Sequence, residues 1–293
     1  MDELTPGVEL VVDTRSIVGE GPFWQAEKGV LGWVDIMSNR LHTYDPATGR
    51  DTTVDVGQPI GAASARASGG YVLALRDGFA ALDDAGKLEM LAHVESDLAT
   101  NRMNDGNCDR LGRFWAGTMA FDEHLEAGAL YCLDLDHSVR RVFGPTTISN
   151  GIDWSPDDQI MYYVDSTTQG LDTFPFNLDA GTLGPRQRLA TIPRELGVPD
   201  GLTVDADGYI WVAVWGGWCI RRYTPEGALD RVITLPVSQV SACAFGGPNL
   251  DDLYITSASI NLSPEQLARE PLAGSLFRYH TGVRGKPRFP YRG

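Results

Sequence analysis

Basic residues and long apolar runs are scarce in this sequence. Lysine and arginine number 24 against 39 aspartate and glutamate residues, and the formal net charge is −15 for 293 residues. A chain this acidic repels phosphate backbones and anionic lipids, so neither nucleic acid nor a membrane surface is expected as a partner. The longest mostly apolar run, residues 209–220, is too short to span a bilayer.

Signals of export and of cysteine frameworks are missing as well. The first residues, MDELTPGVEL, carry early acids and lack the basic and apolar regions of an export signal. Four cysteines lie far apart without CxxC or Cys/His spacing, which excludes zinc-ribbon and redox motifs: Cys108, Cys132, Cys219 and Cys243. We therefore expect buried strand cysteines in a reducing cytoplasm, and a monomer or weak homo-oligomer.

Familiar nucleophile and metalloprotease motifs are also absent. The sequence contains no GxSxG elbow, no HExxH and no GxxxxGK[ST] phosphate loop. The five histidines fall in turns or outer-strand segments, where surface or structural roles are expected: His42, His93, His124, His137 and His280. A histidine-based hydrolase is therefore not indicated.

Helical periodicity is almost absent, and short aromatic-rich strands recur in its place. The central residues of six such strands are spaced 40, 42, 48, 48 and 43 positions apart: Trp33, Leu73, Trp115, Tyr163, Trp211 and Tyr254. This spacing is the length of one four-stranded blade, and it predicts an all-β, six-bladed β-propeller forming one domain over residues 1–293. A β-sandwich or a pair of barrels would not explain a period repeated six times.

Two further elements are predicted outside the regular repeats. A strand over residues 8–14 precedes the first repeat, and we expect it to pair with the last blade and close the ring. A short helix is expected over residues 263–269, because Ser263, Pro264 and Gln266 match an N-cap, a first-turn proline and a capping-box partner.

Polar residues occupy the same repeat position in four of the six blades, 11–13 residues before the central aromatic: Glu20, Asn104, Asn150 and Asp200. The innermost strand of every blade lines the propeller axis, so these side chains are expected to converge there. Asn-Gly and Asp-Gly pairs are common in turns, and a turn role would explain any one position but not four in register. Buried carboxylates with amide oxygens predict one divalent ion, Ca²⁺, Mg²⁺ or Mn²⁺, with Zn²⁺ and Fe²⁺ as alternatives.

Several longer motifs follow one another nearly from end to end of the chain: GEGPFW, NRMNDGNCDRLGRFWAGTM, SNGIDWSPD and PDGLTVDADGYIWVA. Together they resemble the family of regucalcin (senescence marker protein), gluconolactonases and related sugar lactonases. The resemblance implies a six-bladed propeller with one metal at its mouth, held by Glu20, Asn150 and Asp200. It implies that substrate is bound by Arg102, Asn104 and, after the GTM segment, Asp122, with Glu123 as the neighbouring alternative.

The resemblance, together with the chemistry of these residues, predicts a metal-dependent hydrolase that opens sugar (aldono) lactones. The metal would polarise the lactone carbonyl and acidify a water, and Asp200 would take that water's proton. The Arg102 guanidinium would donate paired hydrogen bonds to sugar oxygens. Two alternatives stay open: a phosphotriester hydrolase with the same metal cage, and a calcium-binding regulatory protein without turnover. The sugar is not identified, because selectivity depends on the loops near residues 121–127, 167–170 and 215–218.

Overall fold

Six antiparallel sheets make up the computed structural model, which describes residues 4–293. The predicted all-β, six-bladed propeller is confirmed, since each sheet is one blade whose strands follow in chain order from the inside outwards, except that the N-terminal strand is the outermost strand of the last blade. Residues 1–3 lie outside the described residues. The assignment of residues 1–293 to one domain stays a prediction.

The first three blades have four strands each. Blade 1 contains β2 (Gly19–Gln25), β3 (Val30–Asp35), β4 (Arg40–Asp45) and β5 (Arg50–Asp55). Blade 2 contains β6 (Ile60–Ala65), β7 (Tyr71–Leu75), β8 (Gly78–Leu82) and β9 (Leu88–His93). Blade 3 contains β10 (Asn101–Cys108), β11 (Phe114–Ala120), β12 (Gly128–Leu133) and β13 (Val139–Thr146).

The last three blades repeat this plan with one addition. Blade 4 contains β14 (Ser149–Trp154), β15 (Ile160–Asp165) and β16 (Gly170–Asn177), and both β17 (Thr182–Leu183) and β18 (Gln187–Thr191) pair with β16. Blade 5 contains β19 (Val198–Val204), β20 (Ile210–Trp215), β21 (Cys219–Tyr223) and β22 (Leu229–Thr234). Blade 6 contains β23 (Val240–Gly246), β24 (Asp252–Ser257), β25 (Leu276–His280) and β1 (Val8–Val12).

The ring is closed by β1, as the sequence predicted. This strand pairs antiparallel with β25, with Val8 opposite Tyr279 and Leu10 opposite Phe277. It ends at Val12, two residues earlier than expected. The N-terminal strand thus completes the blade that the C-terminal strands form. It covers the edge of β25, which would otherwise be open.

Apolar side chains fill the six spaces between neighbouring blades, with one buried cluster at each interface. The central residues of the repeated strands are all buried in these clusters: Trp33, Leu73, Trp115, Tyr163, Trp211 and Tyr254. All four cysteines are also buried, in agreement with the sequence prediction. Blade-to-blade packing of this kind holds the six innermost strands in a closed ring around the axis.

The one α-helix of the described residues, α1 (Pro264–Arg269), forms where the sequence predicted it. Ser263 Oγ accepts a hydrogen bond from the backbone N–H of Gln266, and the Gln266 side chain accepts one from the backbone N–H of Ser263, which is a complete capping box. Two short 3₁₀ helices cover Ser166–Thr168 and Arg194–Leu196. Within residues 4–293 no helix has the length and apolarity needed to cross a bilayer.

Every innermost strand carries a β-bulge at the start of the repeated frame. The pairing of these strands with their blade neighbours shifts register at six places: between Glu20 and Phe23, Ile60 and Ala62, Met103 and Gly106, Asn150 and Ile152, Pro199 and Leu202, and Val240 and Ala242. A bulge breaks the strict alternation of side chains and can turn adjacent residues toward the same space. The bulges therefore set which side chains reach the axis.

Candidate metal and substrate site

Five of the predicted metal and substrate residues lie on the innermost strands of blades 1, 3, 4 and 5, and the sixth, Asp122, lies in the loop after β11. Glu20 is on β2, Arg102 and Asn104 are on β10, Asn150 is on β14 and Asp200 is on β19. Each of these side chains is buried, with 4–8% of its surface exposed. Residues spread over 180 positions of sequence are thus brought to the axis by the propeller.

A chain of hydrogen bonds links the substrate side of this cluster to the metal side. Arg102 Nη1 donates to Oδ1 of Asn104 at 2.6 Å, and Asn104 Nδ2 donates to Oδ1 of Asn150 at 2.8 Å. The Asn150 amide then donates to Ser166 Oγ at 2.8 Å. These hydrogen bonds fix the orientation of each asparagine amide. The Asn150 oxygen points toward Asn104 and its nitrogen toward Ser166. Ser166 was not identified from the sequence, since nothing in its surroundings marks it.

The carboxylates of Glu20 and Asp200 are buried together and share the axis with a third, Asp105. Burial raises the pKa of Glu20 to about 8, and the neighbouring Asp105 charge adds to the rise. Burial also raises the pKa of Asp200 well above its usual range, with further contributions from Glu20 and Asp105. For Asp105 burial raises the pKa to about 6. All three pKa shifts have one physical reason, which is that the surrounding protein groups stabilise negative charge poorly at this point of the fold.

Asp105 is a member of the cluster that the sequence interpretation missed. Its carboxylate accepts a hydrogen bond from the backbone N–H of Gly106 at 2.7 Å. In a regular strand, adjacent residues face opposite sides, so Asn104 and Asp105 would not both point to the axis. The bulge between Met103 and Gly106 removes that restriction. The only available signal was the acidic residue directly after a frame position.

This donor set fits a divalent cation. Two carboxylates and one amide oxygen, from Glu20, Asp200 and Asn150, are hard oxygen ligands of the kind that Ca²⁺, Mg²⁺ and Mn²⁺ prefer. Within residues 4–293 none of the three buried carboxylates at the axis forms an ion pair closer than 4.0 Å. A cation bound at these oxygens would relieve the mutual repulsion that raises their pKa values.

Arg102 is the positively charged side chain of the mouth. Burial lowers the pKa of its guanidinium to about 10, while Glu20, Glu123 and Asp200 oppose that fall. Its Nε is buried and has no hydrogen-bond partner among residues 4–293. The guanidinium carbon lies 5.9 Å from the centre of the Phe121 ring, in the loop after β11. A buried donor without a partner in a polar mouth fits the predicted contact with substrate oxygens.

Asp122 and Glu123 differ in their surroundings. The Asp122 side chain is 72% exposed, and its Oδ1 lies 2.6 Å from Nδ1 of His124. Glu123, in contrast, acts electrostatically on Arg102 and has a left-handed backbone conformation with φ of 58°. Asp122 thus contacts the surface residue His124, whereas Glu123 interacts electrostatically with Arg102 of the axial cluster. The substrate role of Asp122 stays a prediction.

The glycine after Asn150 is required by close packing of the innermost strands. A Cβ atom on Gly151 would lie 2.7 Å from the carbonyl oxygen of Asp200, which no side chain tolerates. The glycine after Asp200 is similar, because a Cβ on Gly201 would lie 2.5 Å from the Cβ of Ala242. Backbone approach, which the sequence suggested for these glycines, therefore sets the distance between neighbouring ligands.

A second group of potential ligand atoms lies on blade 6, away from the axis. Asp251, Asp252 and His280 each offer one atom within 4.8 Å of the others. Asp252 already bonds to His280 Nδ1 at 3.2 Å and lies 3.8 Å from Arg278. These contacts account for the group as partly exposed ion pairs.

Comparison with known proteins agrees with this fold and shows the family. The family model described as "SMP-30/Gluconolactonase/LRE-like region" matches residues 18–259. Regucalcin of Gallus gallus is 38% identical over 294 residues, which cover 98% of each chain. A solved luciferin-regenerating enzyme is 32% identical with a TM-score of 0.91, and 98% of this chain and 99% of that one are covered. The structure of a calcium-binding protein, regucalcin, from Agrobacterium tumefaciens is 30% identical with a TM-score of 0.94, covering 98% and 97%.

Proposed function

The chain belongs to the SMP-30/gluconolactonase/LRE-like family, and from that premise we propose that it is a metal-dependent lactonase that opens sugar (aldono) lactones to the free sugar acids. One divalent ion is the proposed cofactor, with Glu20, Asn150 and Asp200 as its protein ligands. Arg102 and Asn104, with Asp122 or Glu123, are proposed to surround the substrate. We further propose a cytoplasmic location and a monomer or weak homo-oligomer.

One observation carries this proposal: carboxylates of Glu20 and Asp200 are buried at the axis beside an oriented amide oxygen and an arginine with an unpartnered Nε. The carboxylates and the amide suit a metal, whereas the arginine suits a second, oxygen-rich molecule. A site that only stored a cation would gain no cation affinity from a guanidinium beside it, because like charges repel.

Ring opening can be assigned to residues of this chain. When bound, a divalent ion supplies Lewis acidity for the lactone carbonyl and for water. Arg102 holds hydroxyl or ring oxygens of the substrate through its free N–H groups. Asp200 takes a proton from the attacking water and returns it to the ring oxygen as the acyl C–O bond breaks, so that a carboxylic acid and an alcohol result.

Asn104 contributes orientation in this scheme. Its two N–H groups donate to the Ser149 carbonyl and to Asn150 Oδ1, and its oxygen accepts one hydrogen bond from Arg102. It therefore couples the position of the substrate-binding guanidinium to that of the metal-binding amide, in addition to any contact it makes with substrate.

The direct test is a substrate panel with controlled metal content. Chelated protein is refilled with Ca²⁺, Mg²⁺, Mn²⁺, Zn²⁺ or Fe²⁺ singly, and proton release from five- and six-membered aldonolactones is followed with a pH indicator. We expect metal-dependent opening that chelator and Glu20→Gln abolish. If no lactone is opened above the spontaneous rate while a phosphotriester is cleaved, the proposal is wrong and a phosphotriester hydrolase is the better description.

A calcium-binding protein without turnover is the second candidate, because the related A. tumefaciens structure is described as calcium-binding. It predicts tight binding of Ca²⁺ by Glu20, Asn150 and Asp200 and no turnover of any lactone or phosphotriester in the panel. The unpartnered Nε of Arg102 favours the lactonase.

A further inference from the structure

The C-terminal segment, residues 285–293, crosses the end of the propeller opposite the mouth and contacts all six blades. Backbone bonds join Gly285 to Leu250 of the blade 6 turn, Tyr291 to Ala65 of blade 2, and Arg292 to Gly112 of blade 3. The Lys286 side chain donates a hydrogen bond to Asp153 of blade 4, and the Arg288 side chain donates one to the Pro22 carbonyl of blade 1. Gly285 forms a β-bridge with Asp205 of blade 5. The segment therefore closes the far end of the central channel.

Two cations of this segment face two buried carboxylates of the channel. Lys286 Nζ lies 2.5 Å from Oδ1 of Asp153, a carboxylate that is only 3% exposed. Arg288 and Asp105 are the two charged residues that line a cavity of about 10 Å³ between the bulges of the innermost strands. That volume is about the size of one water molecule, and the Arg288 charge acts on the Asp105 carboxylate across it.

Arg288 is also tied to the strand that carries Glu20. Its Nη2 donates to the carbonyl oxygen of Pro22 at 3.3 Å, two residues after Glu20. Burial raises the pKa of Asp105 to about 6, and the Arg288 charge opposes that rise. Arg288 is thus the cation on the closed side of the acidic cluster, while Arg102 is the cation on the mouth side.

We propose that Arg288 is an internal counter-charge to Asp105, which keeps the acidic channel folded when no metal is bound and weakens divalent-metal binding at the mouth. The second part rests on the proposed metal site. Both effects have one cause. A fixed positive charge stabilises neighbouring carboxylates, and it repels a divalent cation that arrives to do the same.

The test compares Arg288→Met with two matched controls at fixed pH and ionic strength. Arg288→Lys keeps the charge, and Arg292→Met removes a charge from an exposed position of the same segment. Calcium affinity is titrated on chelated protein, and melting temperature is measured in chelator and in excess calcium. We expect Arg288→Met to bind calcium at least about tenfold more tightly and to melt earlier in chelator, with a larger calcium-induced rise. Both controls should stay close to wild type.

A double variant keeps the test decisive if Arg288→Met folds poorly without metal. Asp105→Asn in the Arg288→Met background removes the carboxylate that the arginine balances, so stability in chelator should be restored. The inference is overturned if folded Arg288→Met binds calcium equally or more weakly, or if the double variant is no more stable than Arg288→Met. If wild type binds no metal but the Arg288 and Asp105 variants differ in stability as expected, the proposed function is refuted. The role of Arg288 as a counter-charge to Asp105 is then retained.

Discussion

The side-chain amide of Asn104 donates a 2.8 Å hydrogen bond to Oδ1 of Asn150, the oxygen that we propose as a metal ligand. Asn104 in turn accepts from Arg102 at 2.6 Å. One asparagine thus fixes the orientation of a metal ligand and of a substrate-binding guanidinium at the same time. Metal and substrate binding are therefore expected to depend on each other.

Asn104→Ala should weaken divalent-metal binding about tenfold or more, because residues that orient metal ligands affect affinity to that extent. The measurement is a calcium titration of chelated protein. Asn107→Ala is the matched control, since Asn107 lies on the same strand but bonds to the Ile152 carbonyl below the cluster. An unchanged metal affinity together with weaker substrate binding would restrict Asn104 to a substrate role.

Asp200→Ala should give a folded protein that no longer retains stoichiometric metal. The substitution removes a ligand and also one of three mutually repelling carboxylates, so the melting temperature in chelator should not fall. Elemental analysis and thermal unfolding check the two parts. Asp122→Ala, which removes an exposed carboxylate, is the control. Full metal occupancy in Asp200→Ala would show that the ligand assignment is wrong.

Arg102→Lys should lower kcat/KM for a lactone about 100-fold while metal content and melting temperature stay near wild type. Lysine retains the positive charge beside Glu20 and Asp200 but cannot provide the planar fork of donors. Steady-state kinetics and elemental analysis separate the two effects. A large loss of stability with unaltered kinetics would mean that Arg102 is structural.

The stability of metal-free protein should fall as pH rises from about 5 to 8. Because the pKa of Glu20 is raised from 4.5 to about 8, the folded state holds a proton in this range that the unfolded state has lost. This contribution is complete below pH 4.5 and disappears as pH rises through about 8. In chelator, wild type should lose at least about 1 kcal/mol more than Glu20→Gln over that range. Parallel curves for the two proteins in urea unfolding would contradict the raised pKa.

Glu123→Gln should change KM for a lactone more than Asp122→Asn does. Glu123 acts electrostatically on Arg102, whereas Asp122 is exposed and bonded to His124. The two substitutions are isosteric neighbours in one loop, so each is the control for the other. A larger effect of Asp122→Asn would support the substrate role that the family resemblance implies for Asp122.

The sequence by itself determined the architecture and which polar residues meet at the axis. Six repeats of one blade length gave the propeller, and ring closure followed from a strand without a blade of its own, which β1 and β25 confirm. The choice of Glu20, Asn150 and Asp200 as proposed metal ligands came from the family resemblance. The four residues Glu20, Asn104, Asn150 and Asp200 could be grouped because equal repeat positions in a closed ring meet at one axis. That symmetry turns spacing along the chain into proximity in space.

Only the tertiary structure decided which residues join the site from outside the equivalent repeat positions. Asp105 joins the cluster because a bulge turns two adjacent residues toward the channel, and bulges leave no clear mark in an aromatic repeat pattern. Glu123 and Asp122 are separated by the conformation of one loop, which local sequence does not fix. Arg288 meets Asp105 across more than half the chain, through a segment that lies outside all six repeats. Contacts of that kind follow from the finished ring, since only closure creates the channel that the segment fills.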